Sequence, residues 1–140
     1  MKAILKQVEG VTLAGRADSG HWMMIDGTEQ FGGSDAAVRP MELILLGLGG
    51  CTSMDVISIL QKKRVALEGF ECRIEAERAP EHPKVYTEIT IKFVFYGANI
   101  PSVAVERAIE LSDTKYCSVT AMLRSTVQIR TEYEIKPSKV

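Results

Sequence analysis

The chain contains one long apolar run, Leu43-Ile44-Leu45-Leu46-Gly47-Leu48-Gly49-Gly50-Cys51, and residues 43–54 carry no charge. Arg39-Pro40 precedes the run, and proline is favoured in the first turn of a helix because its φ angle is already helical. Lys62-Lys63-Arg64 follows the run, where cations suit the negative end of the helix dipole. We therefore predict one long helix from Pro40 to this basic segment, apolar on most of its sides.

A helix that is apolar on most of its sides is stable in water only when other protein segments bury those sides. In a chain of 140 residues, a sheet can cover one side of such a helix, and a second copy of the chain would cover the other. We therefore predict a homodimer.

The remaining segments are predicted to be strands and shorter helices. Strands are expected at residues 3–8, 21–26, 70–78, 85–96 and 127–135, and helices at residues 103–111 and from Cys117-Ser118 onward. In residues 70–78 and 85–96, apolar and polar side chains alternate, which is typical of an antiparallel hairpin with one buried face. This order of elements predicts an α+β fold in a single domain, residues 1–140.

Composition narrows the function classes. Hydrophobic residues make up 46% of the chain and charged residues 25%, and the net charge is −1, so we predict binding neither to nucleic acid nor to an anionic membrane. The uncharged stretch 43–54 is shorter than the roughly 20 residues that span a bilayer. The N-terminus turns polar at once, unlike a signal peptide. We therefore expect a soluble, cytoplasmic protein.

Three cysteines are the candidates for chemistry, and each also has a purely structural interpretation. Cys51 lies among small residues in the predicted long helix, with Asp55 four residues later on the same face. Cys117 precedes Ser118, a candidate helix N-cap, and a helix start lowers the pKa of a thiol. Cys72 falls on the apolar face of a predicted strand, where a small core residue is the favoured interpretation. Either of the first two could equally be a core residue.

Other catalytic and binding motifs are missing from the sequence. It contains no Cys-x-x-Cys, and His21 and His82 lack zinc-like spacing to any cysteine. Gly47, Gly49 and Gly50 lie inside a predicted helix rather than before one, so they do not form a phosphate-binding loop. We therefore predict no metal and no cofactor, and expect any catalysis to be thiol chemistry.

Three segments together resemble the OsmC/Ohr family of osmotically inducible and organic hydroperoxide resistance proteins, and its OsmC-like branch most. They are Pro40-Met41-Glu42-Leu43 with Gly49-Gly50-Cys51, then Pro83-Lys84-Val85-Tyr86-Thr87-Glu88-Ile89, and Lys115-Tyr116-Cys117-Ser118-Val119. The resemblance covers almost the whole chain. It implies an OsmC-like intertwined α+β homodimer, with antiparallel sheets wrapped around long central helices and active sites at the subunit interface.

The resemblance also implies a mechanism without metal or flavin. Cys51 corresponds to the peroxidatic cysteine, which becomes a sulfenic acid, and Cys117 to the resolving cysteine, which forms a disulfide with it. A small dithiol of dihydrolipoyl type would reduce that disulfide. In the family, an arginine held by a glutamate stabilises the thiolate. Arg16 is the first candidate for this arginine and Arg39 the second.

This chain departs from the family at the position of that glutamate. Met41 stands where members of the family have glutamate, and Glu42 follows one place later, about 100° around the helix. Two functions are therefore predicted as alternatives. The first is a peroxidase that reduces organic hydroperoxides in an apolar pocket at the subunit interface, lined by Leu45, Leu48 and residues of the third helix such as Met122. The second is a stress-associated binding protein of the same fold with little or no peroxidase turnover.

Overall fold

A three-stranded antiparallel sheet forms the first part of the chain. In the computed structural model, which describes residues 1–137, its strands are β1 (Ala3–Glu9), β2 (Thr12–Ala17) and β3 (Trp22–Ile25), with β2 in the centre. The sequence predicted β1 and β3 but not β2. Alanine and glycine in β2 have low strand propensity, and pairing with a neighbour on each side overrides that preference.

The loop after β3 is organised by a buried carboxylate. Asp26 is 2% exposed and accepts a hydrogen bond from the Thr12 hydroxyl at 3.1 Å. The backbone N–H groups of Gly27, Ser34 and Ala36 donate to the same carboxylate at 2.8–3.1 Å. These hydrogen bonds, led by that from Ala36, lower the pKa of Asp26 because they stabilise its charged form.

The long helix, α1 (Pro40–Lys62), begins and ends where the sequence predicted. The Arg39 N–H donates to Glu42 Oε2 at 2.9 Å, so Glu42 satisfies a backbone donor at the helix start, as the glutamate of a capping box does. The chain divides into two compact units, and the boundary falls within this helix, between Leu46 and Gly47. A single domain over residues 1–140 stays a prediction.

The second unit contains a three-stranded sheet in the order β4-β5-β6. Strands β4 (Gly69–Arg78) and β5 (Tyr86–Tyr96) form the predicted antiparallel hairpin. Strand β6 (Gln128–Lys136) runs parallel to β5, so this sheet is mixed and the prediction of purely antiparallel sheets was wrong here. The helices α2 (Ser102–Leu111) and α3 (Ser118–Leu123) lie between β5 and β6 in the chain and provide the crossover that a parallel pair needs.

The core of the second unit lies around β5. The predicted face of β5 is buried at Ile89, Ile91, Phe93 and Phe95, but Val94 and Tyr96 are buried as well, so the end of this strand is covered on both faces. Helix α1 contributes one buried face to this core, made of residues four positions apart: Leu48, Thr52, Val56 and Leu60.

Helix α1 approaches β4 closely at Gly49. A Cβ atom at Gly49 would lie 2.7 Å from the end of the Ile74 side chain and 3.6 Å from the Cys72 sulfur. The glycine therefore lets the helix pack directly against the β4 side chains.

Much of the apolar surface of α1 is exposed in the single chain. Leu46 is 60% exposed and Met54 73%. The apolar segment of this helix extends over 18 residues, more than the 12 uncharged residues suggest, and 28% of it is buried. By length and composition the helix could cross a membrane, and core helices of soluble proteins can have the same length and composition.

Candidate functional site

Two thiols and one carboxylate meet in the second unit. Cys51 and Asp55 lie four residues apart on one face of α1, and Cys117 immediately precedes α3. The two Sγ atoms and a carboxylate oxygen of Asp55 lie within 4.8 Å of one another. The fold thus brings together the two cysteines that the sequence singled out, although they are 66 positions apart.

Cys117 caps helix α3 with its own sulfur. Its backbone is extended (φ −71°, ψ 103°), and its Sγ accepts a hydrogen bond from the Thr120 N–H at 3.3 Å. The sequence predicted Ser118 as the N-cap, which was wrong by one residue. The sulfur therefore occupies the position that a serine or aspartate oxygen normally takes at a helix start.

The two sulfurs differ in exposure. Cys117 is 3% exposed, and burial, followed by the neighbouring Cys51 thiol, raises the pKa of Cys117 above its usual value. The hydrogen bond from Thr120 opposes this rise because it stabilises the thiolate. Cys51 is only partly buried, so it is the more accessible of the two thiols.

Ser112 links the carboxylate to the Cys117 segment, a role that no local sequence pattern indicated. Ser112 is 2% exposed and begins a wide helical turn, Ser112–Tyr116, of π type. Its hydroxyl donates to Asp55 Oδ2 at 3.1 Å, and its carbonyl accepts the Cys117 N–H at 2.9 Å. One buried residue therefore fixes the position of both Asp55 and Cys117.

An open cleft of about 360 Å³ adjoins the cluster through Asp55. Its lining combines apolar side chains with two lysines: Asp55, Ser58, Ile59, Lys62, Lys63, Leu111 and Tyr116. This cleft is not the predicted interface pocket, whose residues Leu48 and Met122 are fully buried in the core and 77% exposed in the single chain, respectively. The interface pocket stays a prediction. The cleft has the size of a small-molecule site.

Cys72 lies outside the cluster, on β4, as the sequence predicted. Its thiol is partly buried, and burial raises the pKa of Cys72, while a hydrogen bond with Ser53 lowers it. Cys72 is therefore a suitable control for experiments on the other two cysteines.

The predicted arginines and the glutamate lie in the first unit. The Arg16 guanidinium stacks over the Trp22 ring at 5.0 Å from its centroid. Arg39 forms an ion pair with Asp35 at 2.7 Å and a longer one with Glu42 at 3.7 Å. Among residues 1–137, Glu42 is thus paired with the second candidate arginine, and no hydrogen bond or ion pair joins it to Arg16.

A family model described as OsmC-like protein matches residues 32–132, which is well over half of the chain. The chain belongs to the OsmC-like family. Protein YhfA of Escherichia coli K12 is 42% identical over 135 residues, covering 96% of this chain and 98% of YhfA. The predicted family is therefore confirmed.

Solved structures agree with the OsmC-like fold. The crystal structure of a hypothetical protein from Aquifex aeolicus VF5 is 31% identical, covers 99% of this chain and 97% of that one, and has a TM-score of 0.86. An organic hydroperoxide resistance protein OsmC from Legionella pneumophila is 14% identical with a TM-score of 0.70, covering 96% and 97% of the two chains. The latter likeness is one of fold alone.

Proposed function

We propose that this OsmC-like protein reduces organic hydroperoxides through Cys51 and Cys117. The observation that carries the proposal is the position of the two sulfurs, which lie within 4.8 Å of each other. A disulfide needs an S–S distance of about 2 Å, so rotation of the side chains has only a short gap to close. The name of the Legionella pneumophila protein, which shares the fold, supports peroxide as the substrate class.

The reaction proceeds in two balanced steps. The Cys51 thiolate attacks the O–O bond of the hydroperoxide, leaving a sulfenic acid on Cys51, and the departing alkoxide takes up the proton that the thiol lost to water, so that an alcohol is released. The Cys117 thiol then condenses with the sulfenic acid, releasing water and forming the Cys51–Cys117 disulfide. The greater exposure of Cys51 supports this order, because the buried Cys117 is less accessible to peroxide.

The enzyme returns to its reduced state by thiol–disulfide exchange with a small dithiol of dihydrolipoyl type. The cleft beside Asp55, which contains apolar side chains and two lysines, is a candidate entry for peroxide or reductant. Arg16 or Arg39 supplies the cation for the Cys51 thiolate, and Arg39 is the one of the two that pairs with Glu42. We propose that the protein acts as a homodimer in the cytoplasm.

Mass spectrometry tests the disulfide directly. One equivalent of cumene hydroperoxide should reduce the mass of the reduced protein by about 2 Da, because two thiols lose their hydrogens. The loss should map to the peptides that contain Cys51 and Cys117, and a Cys72→Ser variant should behave identically. A Cys117→Ser variant should instead gain about 16 Da on Cys51. Oxidation distributed equally over all three cysteines would contradict the proposal.

The exposed apolar surface of α1 predicts a dimer. Leu46 and Met54 would be covered by a second copy of the chain, as expected for an apolar helix with one buried stripe. Analytical ultracentrifugation at micromolar concentration should give a mass of about 31 kDa, twice the 15.4 kDa of the chain. A Met54→Lys variant should shift the equilibrium towards monomer, and a wild-type mass near 15.4 kDa would contradict the prediction.

A second candidate is an OsmC-like binding protein without significant peroxidase turnover. The pairing of Glu42 with Arg39 and the presence of Met41 at the usual glutamate position favour it. This alternative predicts slow, unselective thiol oxidation together with an apolar ligand retained in native mass spectrometry. Fast oxidation that prefers organic peroxide over hydrogen peroxide would exclude it.

A further inference from the structure

We propose that Cys51, Asp55 and Cys117 form a binding site for a thiophilic divalent cation, with Zn²⁺ as the best match. Two sulfurs and one carboxylate oxygen, all within 4.8 Å of one another, constitute three of the four ligands of a tetrahedral zinc site. A water molecule or a bound ligand would complete the coordination. The inference depends on the shared position of these side chains and not on peroxidase activity.

The spacing of the three atoms suits zinc. With Zn–S bonds of about 2.3 Å and Zn–O bonds of about 2.0–2.2 Å, the ligand atoms of a tetrahedron lie roughly 3.5–3.8 Å apart. The observed upper limit of 4.8 Å therefore requires only small side-chain rotations. Cys51 and Asp55 also stand at positions i and i+4 of one helix, the spacing by which a helix presents two ligands to one metal.

Hydrogen bonds from outside the cluster already orient two of the ligands. The buried Ser112 hydroxyl donates to Asp55 Oδ2, and the Thr120 N–H donates to Cys117 Sγ. Metal-binding carboxylates and thiolates typically receive such bonds, which fix the ligand and stabilise its negative charge. Each bond occupies one lone pair and leaves others available for a cation.

Charge gives a further reason for a cation at this position. As metal ligands, two sulfurs and a carboxylate supply negative charge at one point, and a divalent cation placed between them offsets that charge. Soft sulfur ligands select zinc over magnesium or calcium, which prefer oxygen. The neighbouring cleft, which Asp55 also lines, gives water access to the site.

Titration with Co²⁺, a spectroscopic probe for zinc sites, tests the proposal. Reduced protein under anaerobic conditions should bind one equivalent per chain and develop the absorption of tetrahedral cobalt with sulfur ligands, and Zn²⁺ should displace it. Loss of a residue that only hydrogen-bonds to a metal ligand typically lowers metal affinity by about 10–100-fold. Ser112→Ala should therefore weaken cobalt binding by about 10–100-fold. Cys51→Ser, Cys117→Ser and Asp55→Asn each remove or alter a ligand and should weaken cobalt binding by more than about 100-fold.

Cys72→Ser is the matched control, because it removes the third thiol and leaves the cluster intact, so cobalt binding should not change. Far-UV circular dichroism identifies variants that fail to fold. If Cys117→Ser does not fold, the cobalt affinity of Asp55→Asn tests the proposal instead. Wild-type protein without cobalt–sulfur absorption would overturn the proposal, as would unchanged binding in Asp55→Asn. Because the titration contains no peroxide, metal binding without peroxide consumption would contradict the proposed peroxidase but not this site.

Discussion

A Cys51→Ser variant is expected to lose at least about 1,000-fold in its rate of cumene hydroperoxide reduction, since removal of a catalytic nucleophile costs up to about 10⁶-fold. Serine keeps the size of cysteine, but its hydroxyl is far harder to ionise and is a poor nucleophile towards an O–O bond. The measurement is steady-state peroxide consumption with a small dithiol as the reductant. A variant rate equal to that of the wild type would remove Cys51 from the mechanism.

Two other cysteine variants make this result specific. Cys72→Ser should retain the wild-type rate, because Cys72 lies on β4 outside the cluster. In the absence of the dithiol, Cys117→Ser should consume about one equivalent of peroxide and then stop, because a sulfenic acid forms but no internal thiol resolves it. If Cys72→Ser were as inactive as Cys51→Ser, the assignment of roles would be contradicted.

The sequence was most informative where a local pattern and the tertiary structure require the same thing. The apolar run, its preceding Pro40 and its basic end predicted α1 correctly because each signal acts within the helix itself. The alternating segments predicted the β4–β5 hairpin for the same reason, since one face of each must be buried. Cys51 and Cys117 were singled out by their local helical contexts, and the family resemblance then implied their roles; the fold brings their sulfurs together.

Features that depend on contacts outside the element itself were not predictable. Strand β2 exists because two neighbours pair with it, and β6 is parallel because two helices carry the chain across the sheet. Ser112 joins Asp55 to the Cys117 segment through a contact over 57 positions, which no local pattern encodes. The sequence contains no metal motif with short spacing such as Cys-x-x-Cys, so no metal site was predicted, whereas the proposed S₂O ligand set comes from two separate elements.

The position of Glu42 illustrates a residue with two possible roles. The family resemblance implied a glutamate that holds an arginine for the thiolate, and Glu42, displaced by one place, was not expected to point in the direction of that glutamate. In the structure, Glu42 accepts the Arg39 N–H and pairs with the Arg39 side chain, so its capping contribution to α1 is sufficient reason for its presence. A role for Glu42 in stabilising the Cys51 thiolate stays a prediction, and so do the roles of Arg16 and Arg39.

The largest expected loss of stability is that of Phe95→Ala. Phe95 is fully buried on β5, and its ring packs at centroid distances of 5.3 Å from Phe70, 6.2 Å from Phe93 and 6.5 Å from Tyr133. Removal of a buried phenylalanine side chain costs about 3–5 kcal/mol, through lost burial and the cavity left behind. Urea unfolding followed by circular dichroism should show a lower midpoint with a similar slope.

Phe31→Ala provides the matched control for this prediction, because it removes the same side chain from a position that is 68% exposed. Its free energy of unfolding should change by about 0.5 kcal/mol or less, as for most surface substitutions. The difference between the two variants isolates the contribution of the β5 core, since both lose the same number of atoms. Equal destabilisation by Phe95→Ala and Phe31→Ala would contradict a core centred on β5, and with it the scaffold that holds Cys51 and Cys117 together.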